Sequence, residues 1–203
     1  MAPPSAPRLL VVTTVSTTLD AFLLPYADHF RAKGWRVDAL AAGATTHPGL
    51  ISHFDRRFDA PWQRRVGGVI HAWRTARALW SAPRQVRAVV ADGGYDLVHV
   101  HTPIAAWITR FALRQRAPTT KVIYTAHGFH AYPGANRLRN AMLRTIERAA
   151  SAWTDYLVVI NADDLALATR DRLVPAGRMV HHPGIGVDGS HYRVASRVDQ
   201  YAM

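Results

Sequence analysis

Six short runs of aliphatic and β-branched residues, alternating with stretches of helical spacing, constrain this chain more than any other feature. Leu9–Val15 is the first run. Thr17–Lys33 then places Phe22, Leu23, Tyr26, Ala27 and Phe30 at helical intervals, and Gly34 stops the helix. Trp35–Ala41 is the second run. Strand, helix and strand in such close succession are the pattern of a right-handed βαβ unit on a parallel sheet.

The alternation continues after an interruption. Gly43–Pro61 has two prolines and no clear period, which reads as a loop. From Val66 a helical stripe follows (Val69, Ile70, Trp73, Ala76, Trp80), Pro83 ends or kinks it, and Val86, Val89 and Val90 carry it to Asp92. Leu97–His101 is the third run; Thr102-Pro103 then reads as a helix start, threonine as N-cap and proline in the first turn. Val122–Ala126, Tyr156–Ile160 and Arg178–His181 complete the set, with a helix over Arg137–Ser151 and another opened by Asn161. The sum is an α/β fold, a doubly wound, mostly parallel Rossmann-like sheet of about six strands.

In such sheets ligands bind outside the carboxyl ends of the strands. The stretch KVIYTAHGFHAYPG, Lys121–Gly134, puts His127-Gly128-Phe129-His130 where the fourth strand should end. An imidazole there can donate or accept a hydrogen bond, and the adjacent glycine gives the backbone freedom to approach a ligand. The plainer alternative is a histidine that satisfies a loop carbonyl. His99 and His101, two apart on one strand, share a face; His99 is read as buried and hydrogen-bonded, His101 as nearer the strand tip. A His-X-His pair can bind zinc, and His127, His130, His181 and His182 fall near the same edge, but with no cysteine and no placed carboxylates no metal is expected. Asn161 is a helix cap whose helix also offers free N–H groups. Glu147 is read as structural and ion-paired.

Composition narrows the partners. With 203 residues, 49% hydrophobic and 19% charged, the chain can bury a stable core as one domain, behind a loose tail over Met1–Pro7. It has no cysteine, which fits a reducing cytosol, and no apolar run near the ~18 residues that span a bilayer. The formal net charge is +11, nearly all from arginine, since Lys33 and Lys121 are the only lysines. Such a charge attracts nucleic acid, anionic headgroups or phosphorylated substrates. No nucleic-acid reader module accompanies it, so nucleic acid is set aside.

Several pieces in fixed order carry a family likeness. They are Asp96-Leu97-Val98-His99-Val100-His101-Thr102-Pro103, Tyr124-Thr125-Ala126-His127-Gly128-Phe129-His130, Ile146-Glu147-Arg148, Thr154-Asp155, Ile160-Asn161-Ala162-Asp163-Asp164 and Pro183-Gly184-Ile185-Gly186-Val187-Asp188. Together they resemble the N-terminal half of a family 4 glycosyltransferase of the capsular and exopolysaccharide branch. The resemblance implies a GT-B N-terminal, acceptor-side domain over residues 8–188, with 189–203 starting a linker to a missing C-terminal domain.

It implies that His127 is catalytic and touches the transferred sugar, and that His101, Thr102, Gly128, Phe129 and Asn161 bind substrate. It implies retaining transfer from a nucleotide-sugar to a lipid-linked or growing saccharide in the cytoplasm. The donor is a substrate held mainly by the second domain, and no cofactor or metal is required. The chain alone is then not expected to complete a transfer. An alternative is a non-catalytic fragment, or a subunit of a split enzyme that needs a separate donor-binding chain.

Two features stand beside the likeness. The run Thr13–Thr18 after the first strand has no glycine, where many relatives carry one. The arginines at 56, 57, 64, 65, 74, 77, 84 and 87, with Trp62, Trp73 and Trp80, are either a solvated helix face or a basic surface for peripheral contact with an anionic membrane.

Overall fold

The computed structural model describes residues 6–62, 69–129, 136–184 and 186, and the side chains of 69–79 are outside that description. Strand β1 is Arg8–Val15, followed by helices α1 (Ser16–Phe22) and α2 (Leu24–Ala32) and strand β2 (Arg36–Ala42). A short β3 (Arg57–Asp59) precedes α3 (Val69–Gly93), β4 (Leu97–His101) and α4 (Pro103–Ala112). Then come β5 (Lys121–Ala126), α5 (Arg137–Ser151), β6 (Tyr156–Val159), α6 (Ala162–Arg170) and β7 (Met179–His181).

The strands form one sheet in the order β3-β2-β1-β4-β5-β6-β7, and every pairing is parallel. That is one strand more than the sequence suggests. The extra one, β3, lies in the segment expected to be a loop; its three residues are too few to show a period, and pairing with β2 defines them. A 3₁₀ turn at Pro48–Leu50 occupies the same segment.

Both sheet faces are covered, which is why β1 reads as a continuous apolar run. Leu9 and Val11 face a core with Leu19, Leu23, Ala27, Val37 and Phe54. Leu10 and Val12 face the other and larger core, with Trp62, Val86, Ile108, Tyr124 and Leu157. The chain reverses direction across the sheet between β1 and β4, so the crevice at their carboxyl ends is the topological switch point.

Three local expectations change. The helix expected over Thr17–Lys33 is two helices broken at Leu23, because Pro25 takes the first turn of α2. Of the apolar residues at helical intervals, Phe22 and Tyr26 are exposed while Leu23 and Ala27 are buried together with Leu19. Helix α3, by contrast, runs through Pro83 without ending. The buried face of Ala82, Val86, Val89 and Val90 holds it against the core despite the missing N–H. The tryptophans of the basic segment part ways: Trp62 is 1% exposed, whereas Trp80 is 66% exposed beneath the Arg84 guanidinium. The side chains of Arg64, Arg65, Trp73, Arg74 and Arg77 lie outside the described residues.

Candidate functional site

The end of β1 is where the sheet opens. β1 pairs with β4 as far as Val12–Val100, and its register against β2 slips between Val12 and Val15. Thr13 and Thr14 therefore need partners from elsewhere, and side chains supply them. The Trp62 indole donates to the carbonyls of Thr14 at 3.0 Å and Thr13 at 3.3 Å. The Thr14 N–H donates to Thr102 Oγ1 at 2.9 Å, and the two threonine hydroxyls share a bond of 2.7 Å.

No flexible loop follows β1. The strand continues through Val15 and α1 begins at Ser16, so the glycine-free run Thr13–Thr18 is strand and helix. Thr102 sits at the N-cap of α4 as expected, yet its side chain does not cap the helix. Its φ of 63° is rare for a β-branched residue, and its ψ of 137° suits the position before Pro103. The backbone turn aims the hydroxyl at β1, so β1 and β4 are clamped at their tips.

Beside that clamp lies a row of imidazoles. His99 and His101 are each 3% exposed, with ring centroids 4.1 Å apart. His99 Nε2 bonds Thr125 Oγ1 at 2.8 Å, the buried and satisfied arrangement expected of it. His101 Nδ1 lies 3.1 Å from Nε2 of His127, whose ring is exposed at the carboxyl end of β5. Burial, helped by the neighbouring His127, pushes His99 down to about 3. Burial and the two adjacent imidazoles hold His101 well below the usual histidine range, and desolvation lowers His127. All three are neutral at neutral pH. Among the described residues no three His, Asp or Glu side chains converge as metal ligands.

Gly128 follows with φ of +116°, a conformation that favours glycine, and a Cβ built there meets nothing within 4 Å. Its requirement is conformational. Phe129 turns inward, buried in the larger core, while its N–H donates to Asp164 Oδ1 at 3.0 Å. His130 lies outside the described residues.

Asn161 caps α6: its Oδ1 accepts from the Asp164 N–H at 2.8 Å, and its Nδ2 donates to Asp164 Oδ2 at 2.8 Å. Its amide is thus engaged on both sides. Asp164, which the sequence shows only as part of the Ile160–Asp164 motif, is the buried link between α6 and the turn after β5. An acidic side chain three residues after an Asn cap is a capping-box signal that could have found it. Nothing in the sequence places Trp62 or Thr14 at this site: Trp62 is read there with the basic segment, and Thr14 only as part of a glycine-free run. The structure therefore gathers Thr102, His101, His127 and Gly128 at one sheet edge, with Asn161 joined to them through Asp164 and the Phe129 N–H.

Next to this edge, α4, α5 and Phe129 line an open apolar groove of about 400 Å³, with Ile104, Trp107, Tyr124, Phe129, Leu143 and Ile146 among its walls. Glu147 is structural and ion-paired, as expected, but across helices: it accepts from buried Arg110 at 3.0 Å. The Arg110 guanidinium also lies 4.1 Å from the Tyr124 ring centroid.

Residues 19–184 match the model of the glycosyl transferase 4-like domain. The chain is 34% identical over 197 residues to a protein of Bacillus subtilis (strain 168) described as "Putative glycosyltransferase EpsD", covering 97% of this chain and 48% of that one. It thus spans about half the length of this curated relative. Among solved structures, sucrose-phosphate synthase from Thermosynechococcus elongatus superposes with a TM-score of 0.56 at 18% identity, over 85% of this chain and 47% of that one. A glycosyltransferase from Rickettsia africae gives 0.55 at 13%, over 87% and 42%. A UDP-N-acetylglucosamine 2-epimerase gives 0.59 at 11%, over 86% and 45%. That last likeness shows a fold shared across different chemistries, so the fold does not select the reaction. The family match over most of the sequence does narrow it: the chain belongs to the glycosyl transferase 4-like domain family.

Proposed function

We propose that this chain is the acceptor-side half of a retaining glycosyltransferase of exopolysaccharide synthesis. It would receive a lipid-linked or growing saccharide, while a second, donor-holding half carries the nucleotide-sugar. The observation that carries the reading is the convergence at the switch point: an exposed imidazole at the tip of β5, backed by a buried one at the tip of β4, beside a hydroxyl clamp across β1 and β4. Neutral, polar and rigidly held, these groups suit saccharide hydroxyls. His127 then positions and stabilises the reacting sugar without acting as a strong base.

The match to about half of EpsD favours a division of labour, whether the other half is a later domain or a separate chain. The test is transfer from a nucleotide-sugar, with the chain joined to or mixed with a donor-holding half. His127→Ala should lower turnover about 100-fold or more, as loss of one stabilising donor does, in a chain that still folds, with a somewhat lower thermal midpoint because His101 loses its partner. Undiminished turnover in that variant would remove His127 from the reaction.

The exposed Trp80, with the Arg84 guanidinium over its ring and Arg87 also exposed, supports a second surface, which rests on anionic headgroups. The chain should sediment with phosphatidylglycerol vesicles at low ionic strength and release as salt rises. Indifference to the vesicles at low salt would dismiss the contact.

A further inference from the structure

The imidazole pair at the two strand tips holds more information than its distance. His101 is enclosed, and its two ring nitrogens have different surroundings. Nδ1 lies 3.1 Å from His127 Nε2, whereas Nε2 is buried with no hydrogen-bond partner. Between two neutral imidazoles, only two proton placements make that bond. In one, His127 Nε2 carries the hydrogen and donates to His101 Nδ1, so the proton of His101 sits on its Nε2. A buried N–H is then left with no acceptor. In the other, His101 Nδ1–H donates to His127 Nε2, and the buried Nε2 of His101 is a bare lone pair. Orphaned buried N–H groups are rarer in folded proteins than under-satisfied acceptors, and leaving one costs its full desolvation penalty. The second placement is favoured.

Its consequence falls on His127. With Nε2 accepting from His101, the single proton of a neutral His127 must sit on Nδ1, the ring's other nitrogen, in a residue that is exposed. Rotation of the His101 ring would exchange this arrangement for another, but His99 packs against it at 4.1 Å and the residue is buried.

We propose that His101 is a positioning residue that holds His127 in its Nδ1–H tautomer, so that the exposed imidazole offers a hydrogen-bond donor to a saccharide hydroxyl oxygen. The ligand class rests on the glycosyltransferase reading above; the tautomer does not. An Nδ1–H imidazole turned outward has no free lone pair with which to take a proton. His127 therefore binds and orients oxygen and does not serve as the base.

The test is a long-range 1H–15N correlation spectrum of the 15N-histidine-labelled chain at neutral pH, without substrate. The expected result is His127 in the Nδ1–H form, the minority tautomer of a free imidazole. His101→Phe, which keeps a buried ring and removes the donor, should return His127 to mainly Nε2–H. His101→Asn, which keeps an N–H near the same place, should restore Nδ1–H. A wild-type His127 found as Nε2–H overturns the proposal even if neither variant folds. So does an unchanged Nδ1–H signature in a folded His101→Phe protein. Neither result touches the glycosyltransferase reading, and a chain that fails to support sugar transfer would leave the tautomer as measured.

Discussion

A single threonine joins the two strands that flank the switch point, and its backbone is held in a costly conformation. A φ of 63° at a β-branched residue costs on the order of 1–3 kcal/mol. The Thr14 N–H and hydroxyl, both gathered by the Thr102 hydroxyl, offset part of that. Thr102→Val keeps the branch and the strain but leaves Thr14 N–H without its acceptor, so stability should fall by about 2 kcal/mol in urea unfolding. Thr102→Gly loses the same bonds but relaxes the backbone, and should lose less. Equal midpoints for the valine variant and the wild type would show that the clamp contributes nothing. The residue was visible in the sequence as a helix cap. Its service to β1 was not, because Thr14 and Thr102 are 88 positions apart and meet only when the sheet forms.

At the level of elements, α4 and α5 are joined by one buried ion pair beneath an apolar wall. Arg110 is almost wholly enclosed, lies over Tyr124 and spends one N–H on Ala106 O. Glu147→Ala would strand that guanidinium, and removal of one member of a buried pair costs about 3–5 kcal/mol. Because Glu147 keeps some solvent contact, we place the loss near the lower end, about 3 kcal/mol. The double variant Arg110→Met with Glu147→Leu should recover much of it, since packed apolar side chains often replace buried pairs without penalty. If the single and double variants unfold at the same urea concentration, the loss is not one of a stranded charge. The helix spacing of both elements is legible from periodicity. Which arginine faces Glu147 is not, since Arg144 and Arg148 lie closer along the chain yet turn to Asp171.

For the whole molecule, the buried imidazoles make stability depend on pH in a stated direction. In the unfolded chain they take up protons near pH 6.5. In the folded chain His99 does so only at about 3, and His101 is held well below the usual value. Between those limits the unfolded state binds more protons, so stability is full above about 6.5 and falls as pH drops towards 3. The slope is up to about 1.4 kcal/mol per pH unit for each such histidine. Urea midpoints at about pH 7.5 and about pH 5 should therefore differ clearly, and a folded His99→Asn variant should show a shallower slope. A flat profile over that range would mean that the histidines are solvated.

The alternation of apolar runs and helical stripes determined the α/β class, the parallel sheet and the strand tips at which a site could form, because burial on both faces and the βαβ hand are local consequences of pattern. His127, His101, Thr102 and Asn161 could be placed at those tips from the sequence alone, since each ends a strand or starts a helix. Only the tertiary structure decided what the tips do to one another: the break at Pro25, the strand at Arg57–Asp59, the anchoring of Thr13 and Thr14 by Trp62, and the pairing of His101 with His127. The physical reason is that periodicity records which way a residue faces within its own element, whereas a hydrogen bond between elements depends on register, twist and the room left by other side chains.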